Sequence, residues 1–341
     1  MKQILITPEI KAMAKEYSKK LFADKTASFV QPVNGLKNLI VDLKEVNDGL
    51  EDKEDFIKYL DLIIDRFEHL KDLPPSKFGE YKKDFDAILN PKRLSSLIQV
   101  RSKDLPAALI DRNKIPAKSA VFYYEIIDRM QFSSARLYLA PYMQRMGIYT
   151  CVYCNDGSTI YSEDSEEAYY HFDHWLPKDK YPFLCICFYN LYPCCSNCNG
   201  HKLNGEKGSF QLFEESEEAK DPFVFYIDRK DYQYHKPETL SVTFNSRSIN
   251  DENLCAEYDE VYRIHQIYND RSKLVEFQKL LIDIDKHRAS YPEATEKSIE
   301  GIVDKEKLFY DVLGISGDES IIFTESDKKL KIDTAIDAGL L

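Results

Sequence analysis

Apolar side chains recur at helical spacing through most of the first 145 residues. Phe56, Ile57, Leu60, Ile63, Ile64, Phe67 and Leu70 fall on one face of a helix over about 52–70, because positions three and four apart share a side. Ile10, Met13, Tyr17 and Leu21 repeat the pattern after Thr7-Pro8-Glu9. There Thr7 reads as an N-cap, Pro8 as the first helical residue and Glu9 as a first-turn acid. Leu73-Pro74-Pro75-Ser76 breaks the periodicity and reads as a sharp turn or linker. Further helices are expected at about 78–89, 92–102, 116–131 and 133–146, with Phe122-Tyr123-Tyr124 in the core.

The pattern changes at about residue 148. From there to about 210 the apolar runs are short and set among Cys, Tyr, Asn and Pro, and Gly205-Glu206-Lys207-Gly208-Ser209 closes the stretch as a loop. Phe223–Ile227 and Leu240–Phe244 then read as short strands, and a long amphipathic helix is expected over 257–289 through Val261, Ile264, Tyr268, Leu274, Phe277, Leu281 and Ile284. A last helix is expected over about 292–312. The division is therefore a helical N-terminal region over 1–145, a central unit over 146–210, and a mainly helical region with a strand pair over 211–341. The fold class expected is α+β.

Composition narrows the class. A hydrophobic content of 43% with 12 glycines in 341 residues marks an ordered globular chain. No apolar run reaches membrane length, and Met1–Pro8 lacks the apolar core and cleavage site of a signal peptide. A cytoplasmic protein with reduced thiols is expected. Seven of the eight cysteines lie within 151–198, so metal binding accounts for them better than disulfides do. The net charge is −12, but it is unevenly spread: residues 77–145 carry net +6 and residues 146–341 net −16. The basic stretch offers either a surface for phosphates or a solvated helical face. The acidic C-terminal part suits a protein partner better than nucleic acid.

Four of the cysteines form two Cys-x-x-Cys pairs, Cys151/Cys154 and Cys195/Cys198, a spacing that suits a closed tetrahedral zinc site. Cys194 leaves the third ligand open between itself and Cys195, although the spacing to Cys198 favours Cys195. Cys185 and Cys187 read as core residues. Asp173-His174 lies between the pairs, and Asn199 follows the last cysteine. A neutral imidazole is a suitable general base near pH 7. A carboxylate and an amide oxygen are hard ligands that suit Mg²⁺ or Mn²⁺ rather than zinc. Asp173 and His174, as strand neighbours, point to opposite faces, so their roles depend on the strand register.

The run CVYC, HFDHWLPKDKYPFL, FYNLYPCCSNCNGHK over 151–202 resembles the HNH endonuclease family in its zinc-braced form. That family shows Asp-His on a first strand, an asparagine near a second, and Cys-x-x-Cys-Asn-x-x-Lys opening a helix. The resemblance implies a ββα-metal core with a four-cysteine zinc knuckle. It assigns His174 as general base, Asp173 and Asn199 as ligands of a catalytic Mg²⁺ or Mn²⁺, Asn190 as the brace of the loop presenting His174, and Cys151, Cys154, Cys195 and Cys198 as structural zinc ligands. Lys202 matches the family lysine and is expected either to touch phosphate or to be solvent-exposed. His201 is expected to be a backup ligand or a phosphate contact, and Trp175 to pack against the zinc lobe. The function implied is hydrolysis of DNA; the alternative is a zinc-stapled binding module for nucleic acid or protein, without turnover. The arrangement of flanking helical regions is similar to standalone HNH proteins of bacterial defence loci, such as those of Septu-type and retron-associated systems, which act with an ABC-like ATPase. An ATPase partner is therefore expected.

Overall fold

The computed structural model describes residues 1–26, 28–45, 52–98, 121–202, 207–228, 236–290, 309–316 and 321–339, with side chains at 287–290 excepted. It is mostly helical, with small two-stranded sheets. Strand β1 (Ile4–Leu5) leads into α1 (Pro8–Lys20), which starts where Thr7 caps it: the Ile10 N–H donates to Thr7 Oγ1 at 3.3 Å. Ile10, Ala14 and Tyr17 form the buried face of α1.

Helix α2 (Pro32–Glu45), not among the helices expected although its apolar residues keep helical spacing, buries Leu36, Leu39, Ile40 and Leu43 against α3 (Lys53–Leu70). Helix α3 buries Phe56, Leu60, Ile63, Phe67 and Leu70 as the periodicity predicts, with Ile57 and Ile64 half-buried at its edges. Helix α4 (Pro75–Ile88) begins three residues earlier than expected, because Pro75 occupies the first helical position, where a missing N–H costs nothing.

The helix expected at 92–102 is not formed over its described part. Pro91–Ser95 makes a 3₁₀ turn, Ser96 turns extended, and Leu97 bridges Val121. Residues 99–120 lie outside the described residues, so they include the start of the helix expected at 116–131 and much of the basic stretch. Helices α5 (Phe122–Arg129) and α6 (Phe132–Arg145) follow, joined at Gln131 with φ 57°. Phe122 is fully buried, as expected for the core.

The central unit contains the hairpin β2 (Tyr161–Ser162) with β3 (Glu167–Ala168), then β4 (His171–His174), β5 (Leu191–Cys194) and α7 (Ser196–Lys202). Strands β4 and β5 are antiparallel, pairing Asp173 with Tyr192 and His174 with Leu191. Strand β6 (Phe213–Glu214) then pairs in parallel with β1, tying this unit back to the N-terminus.

Strands β7 (Phe223–Ile227) and β8 (Val242–Ser246) pair antiparallel, the second shifted by two residues from its expected start. The long helix expected over 257–289 is three pieces: α8 (Glu252–Tyr262), α9 (Ile264–Tyr268) and α10 (Arg271–Ser290). The first break is at Arg263, with φ 55°, where the Asp259 carboxylate accepts the His265 N–H at 2.7 Å. At the second, the Asn269 amide pairs with both the N–H and C=O of Val242, at 2.9 and 2.8 Å, so docking to β8 outweighs helix continuation. The helix expected at 292–312 falls largely outside the described residues; Phe309–Leu313 is a single π turn. Helix α11 (Lys328–Asp337) was unannounced by any apolar period. One hydrophobic core runs through all three regions, from Ile4 to Ala335.

Candidate functional site

The four expected cysteines meet. The Sγ atoms of Cys151, Cys154, Cys195 and Cys198 lie within 4.8 Å of one another. A tetrahedral zinc with ~2.3 Å Zn–S bonds places sulfurs ~3.8 Å apart, and Cys154 and Cys195 stand at 4.0 Å. The donor set and spacing are consistent with structural zinc. Cys194 is not part of the group: its thiol faces the His171 carbonyl at 3.5 Å, since strand neighbours point oppositely. Cys185 and Cys187 are buried core thiols, and burial pushes Cys187 up to about 12.

The first pair sits on a turn clamped by the C-terminal region. Asn155, buried with φ 54°, donates to Thr150 Oγ1 and to the carbonyls of Ile322 and Glu325, and accepts the Lys329 N–H at 2.9 Å. Tyr258 and Tyr268, from α8 and α9, each donate a hydroxyl at 2.7 Å to the carbonyls of Tyr153 and Cys154. Gly157 lies so close to the second pair that a Cβ there would come within 2.6 Å of Cys195 Cβ.

Beside the cluster, β4 and α7 open onto a polar cleft of about 370 Å³, lined by Asp173, His174 and Asn199. His174 is buried, and its Nε2 lies 3.2 Å from the Cys185 carbonyl. A carbonyl only accepts, so Nε2 carries the proton and Nδ1 keeps the lone pair. Burial, reinforced by the charges of Lys178 and Lys202, lowers the imidazole pKa to about 3 and keeps it neutral. Phe132 packs against the ring at a centroid distance of 4.7 Å.

Asp173 is held by two partners on one oxygen. Lys202 Nζ lies 2.5 Å from Oδ2, and the Tyr153 hydroxyl donates to the same atom. Lys202 also donates to the His174 carbonyl at 2.8 Å and is 4% exposed. It is therefore neither solvent-exposed nor offered to a phosphate; its charge is spent on Asp173. Tyr153 stacks on Tyr262 at 4.3 Å, which fixes the phenol that meets the carboxylate.

Asn190 is fully buried and closes the loop between the strands. Its Oδ1 accepts the Leu176 N–H at 2.8 Å, and its Nδ2 donates to the carbonyls of Leu176 and Leu184. The same loop is anchored from outside, where the Tyr17 hydroxyl donates to the Ile186 carbonyl at 2.9 Å and Phe85 stacks on Phe183 at 3.9 Å. Trp175 packs between Phe78 and Tyr192, the latter on β5, which leads into the second cysteine pair. His201 is half-buried, makes no hydrogen bond among the described residues, and does not line the cleft. His171 does line it. Sequence reasoning missed Tyr153, Phe132, Arg136 and Lys178 around the site. Tyr153 and Lys178 were within reach, one inside the first cysteine pair and the other four residues past His174; the two on α6 carried no local signal.

A four-cysteine cluster able to hold a metal ion lies beside a strand–strand–helix unit and its polar cleft. Against known proteins, the chain is similar to Septu protein PtuB of Bacillus thuringiensis, with 29% identity over 106 residues. That stretch covers 31% of this chain and 37% of the relative, so the kinship is distant and partial. No family model matches the chain, and no solved structure matches it. No helix among the described residues is long and apolar enough to cross a membrane.

Proposed function

We infer that the chain is a metal-dependent HNH-type nuclease that hydrolyses phosphodiester bonds in DNA, in bacterial defence against phage, beside a partner ATPase. The observation that carries this reading is the convergence of Asp173, His174 and Asn199 on one polar cleft next to the cysteine cluster. On this reading β4, β5 and α7 are a ββα-metal unit. The defence role and the partner are supported by the likeness to Septu protein PtuB.

The roles follow from the contacts. Asp173 and Asn199 would hold a Mg²⁺ or Mn²⁺ ion, and the donors fit: both are hard oxygens. Lys202 and Tyr153 occupy Oδ2 of Asp173, while Oδ1 has no hydrogen bond among the described residues. When bound, the ion supplies positive charge for the phosphate and for the departing oxygen. His174, neutral and with Nδ1 unpartnered among the described residues, takes a proton from the attacking water. Asn190 keeps the loop after β4 closed, so that the Cys185 carbonyl stays against Nε2. The products would be a 5′-phosphate and a 3′-hydroxyl. Zinc on the four cysteines would hold the frame and do no chemistry.

The test uses protein purified from its native operon and incubated with plasmid and Mg²⁺ or Mn²⁺. Wild type is expected to bring down an ATPase and to nick plasmid only when the ion is added. Asn199→Ala is chosen because Asn199 is half-buried and makes only a long contact with Cys194, so its loss spares the core. It should lose about 100-fold or more in rate, the scale of one removed electrostatic group. A wild type that holds zinc yet nicks nothing would favour the binding module. Full activity of the chain purified alone would remove the ATPase from the account.

A further inference from the structure

Two cations at the cleft have no ionic partner. Arg136 on α6 and Lys178 after β4 both line the cavity with Asp173, His174 and Asn199, and neither pairs with a carboxylate among the described residues. Among the described residues the only carboxylate in the lining is Asp173, and Lys202 already neutralises it. Three cations therefore face one carboxylate in a chain whose net charge is −12. Elsewhere the surplus of acids finds the cations: Arg129 meets Asp42 and Glu125, Arg145 meets Glu16, and Lys273 meets Asp156 and Asp327. A concave site left positive against that background attracts an anion.

The two side chains are also placed by packing. Phe132 and Arg136 are four residues apart on α6 and so share a helix face. Phe132 lies against the His174 ring, which turns that face, and Arg136 with it, to the cleft. Lys178 stands over the Phe132 ring at 5.5 Å, a contact that orients an ammonium without neutralising it.

We propose that Arg136 and Lys178 are phosphate-binding residues that hold the backbone of a DNA strand laid across the cleft. Helix α6, from the N-terminal region, then completes a site whose reacting groups all come from the central unit. The proposal takes from the nuclease reading the identity of the anion as DNA. Neither residue belongs to the motif of paired cysteines, Asp-His and asparagine. The ligand is recognised by charge, without reference to base sequence.

The experiment measures binding of a fluorescent DNA duplex to the full zinc-loaded chain by anisotropy, over a salt series, with no Mg²⁺ or Mn²⁺ added. Arg136→Ala and Lys178→Ala should each weaken binding by on the order of three- to tenfold. Each should also flatten the slope of log K against log salt by about 0.9, the share of one phosphate contact. Arg136→Lys should restore the slope, and Lys58→Ala, on an exposed helix face, should change nothing. A loss through misfolding would move affinity but would not be rescued by the charge-conserving variant. Wild-type affinity and slope in both alanine variants would overturn the proposal, and so would a wild type that binds no duplex. If wild type cleaves DNA while the variants bind normally, the phosphate role fails and the nuclease reading stands. If binding falls in both variants but wild type never cleaves with Mg²⁺ or Mn²⁺, the phosphate role stands and the nuclease reading fails.

Discussion

Lys202 shows how much of a site is decided by one contact. As the seventh residue of α7 it was open to two expectations, phosphate contact or solvent exposure, and it does neither. Its ammonium sits within 2.5 Å of Asp173, with both side chains largely out of water at 2% and 11% exposure. Taking away one member of such a pair leaves the other charge buried and uncompensated. Lys202→Met is therefore expected to destabilise the fold by about 3–5 kcal/mol, measured by denaturant unfolding of the zinc-loaded chain. Unchanged stability would mean that Tyr153 alone satisfies the carboxylate. The residue types and spacing marked Asp173, His174 and Asn199 correctly as neighbours, because a motif fixes local geometry. They could not mark Tyr153, whose bond to Asp173 spans 20 residues, or Phe132, which reaches His174 from another helix.

Among the elements, legibility followed how the apolar residues are arranged. Helix α3 was plain because its buried side chains repeat at helical spacing. Helix α11 was invisible because it buries polar groups among Leu330, Ile332 and Ala335: Lys329 is paired with Asp333 and Asp221, and Lys328 donates to Ser316 and Thr324. The break between α9 and α10 was equally hidden, since it depends on where β8 offers Asn269 its partners. The turn carrying the first cysteine pair joins these elements to the site, through Asn155 on one side and the hydroxyls of Tyr258 and Tyr268 on the other. Removing zinc should release this clamp before it releases the N-terminal helices. Hydrogen exchange after chelation is expected to speed up in 150–158, 252–268 and 321–335 while α1 and α3 stay protected. Uniform loss of protection would show that the cluster holds the entire fold, and no change at all would remove zinc from the frame.

Across the whole molecule, the regions read from the sequence are stretches of one packed body. The N-terminal helices bind the loop between β4 and β5, β1 pairs with β6, and the C-terminal region clamps the first cysteine pair. No periodicity signals such joins, because they are made by residues up to 217 positions apart. The charge distribution was more telling. A basic stretch reaches the cleft through Arg136 in a chain whose net charge is −12. Such a chain is poorly equipped to grip DNA over a wide area, which fits a division of labour with a partner that supplies the grip.

On the proposed reading, chemistry happens at His174 and zinc only holds the frame. The most direct measurement is the single-turnover rate of plasmid nicking by wild type and by His174→Ala, with zinc content and helical signal determined on the same samples. His174→Ala is expected to show equal zinc, equal helical signal, and a rate lower by about 10²–10⁴-fold, the usual contribution of a positioned general base. Equal rates in the two proteins would contradict it.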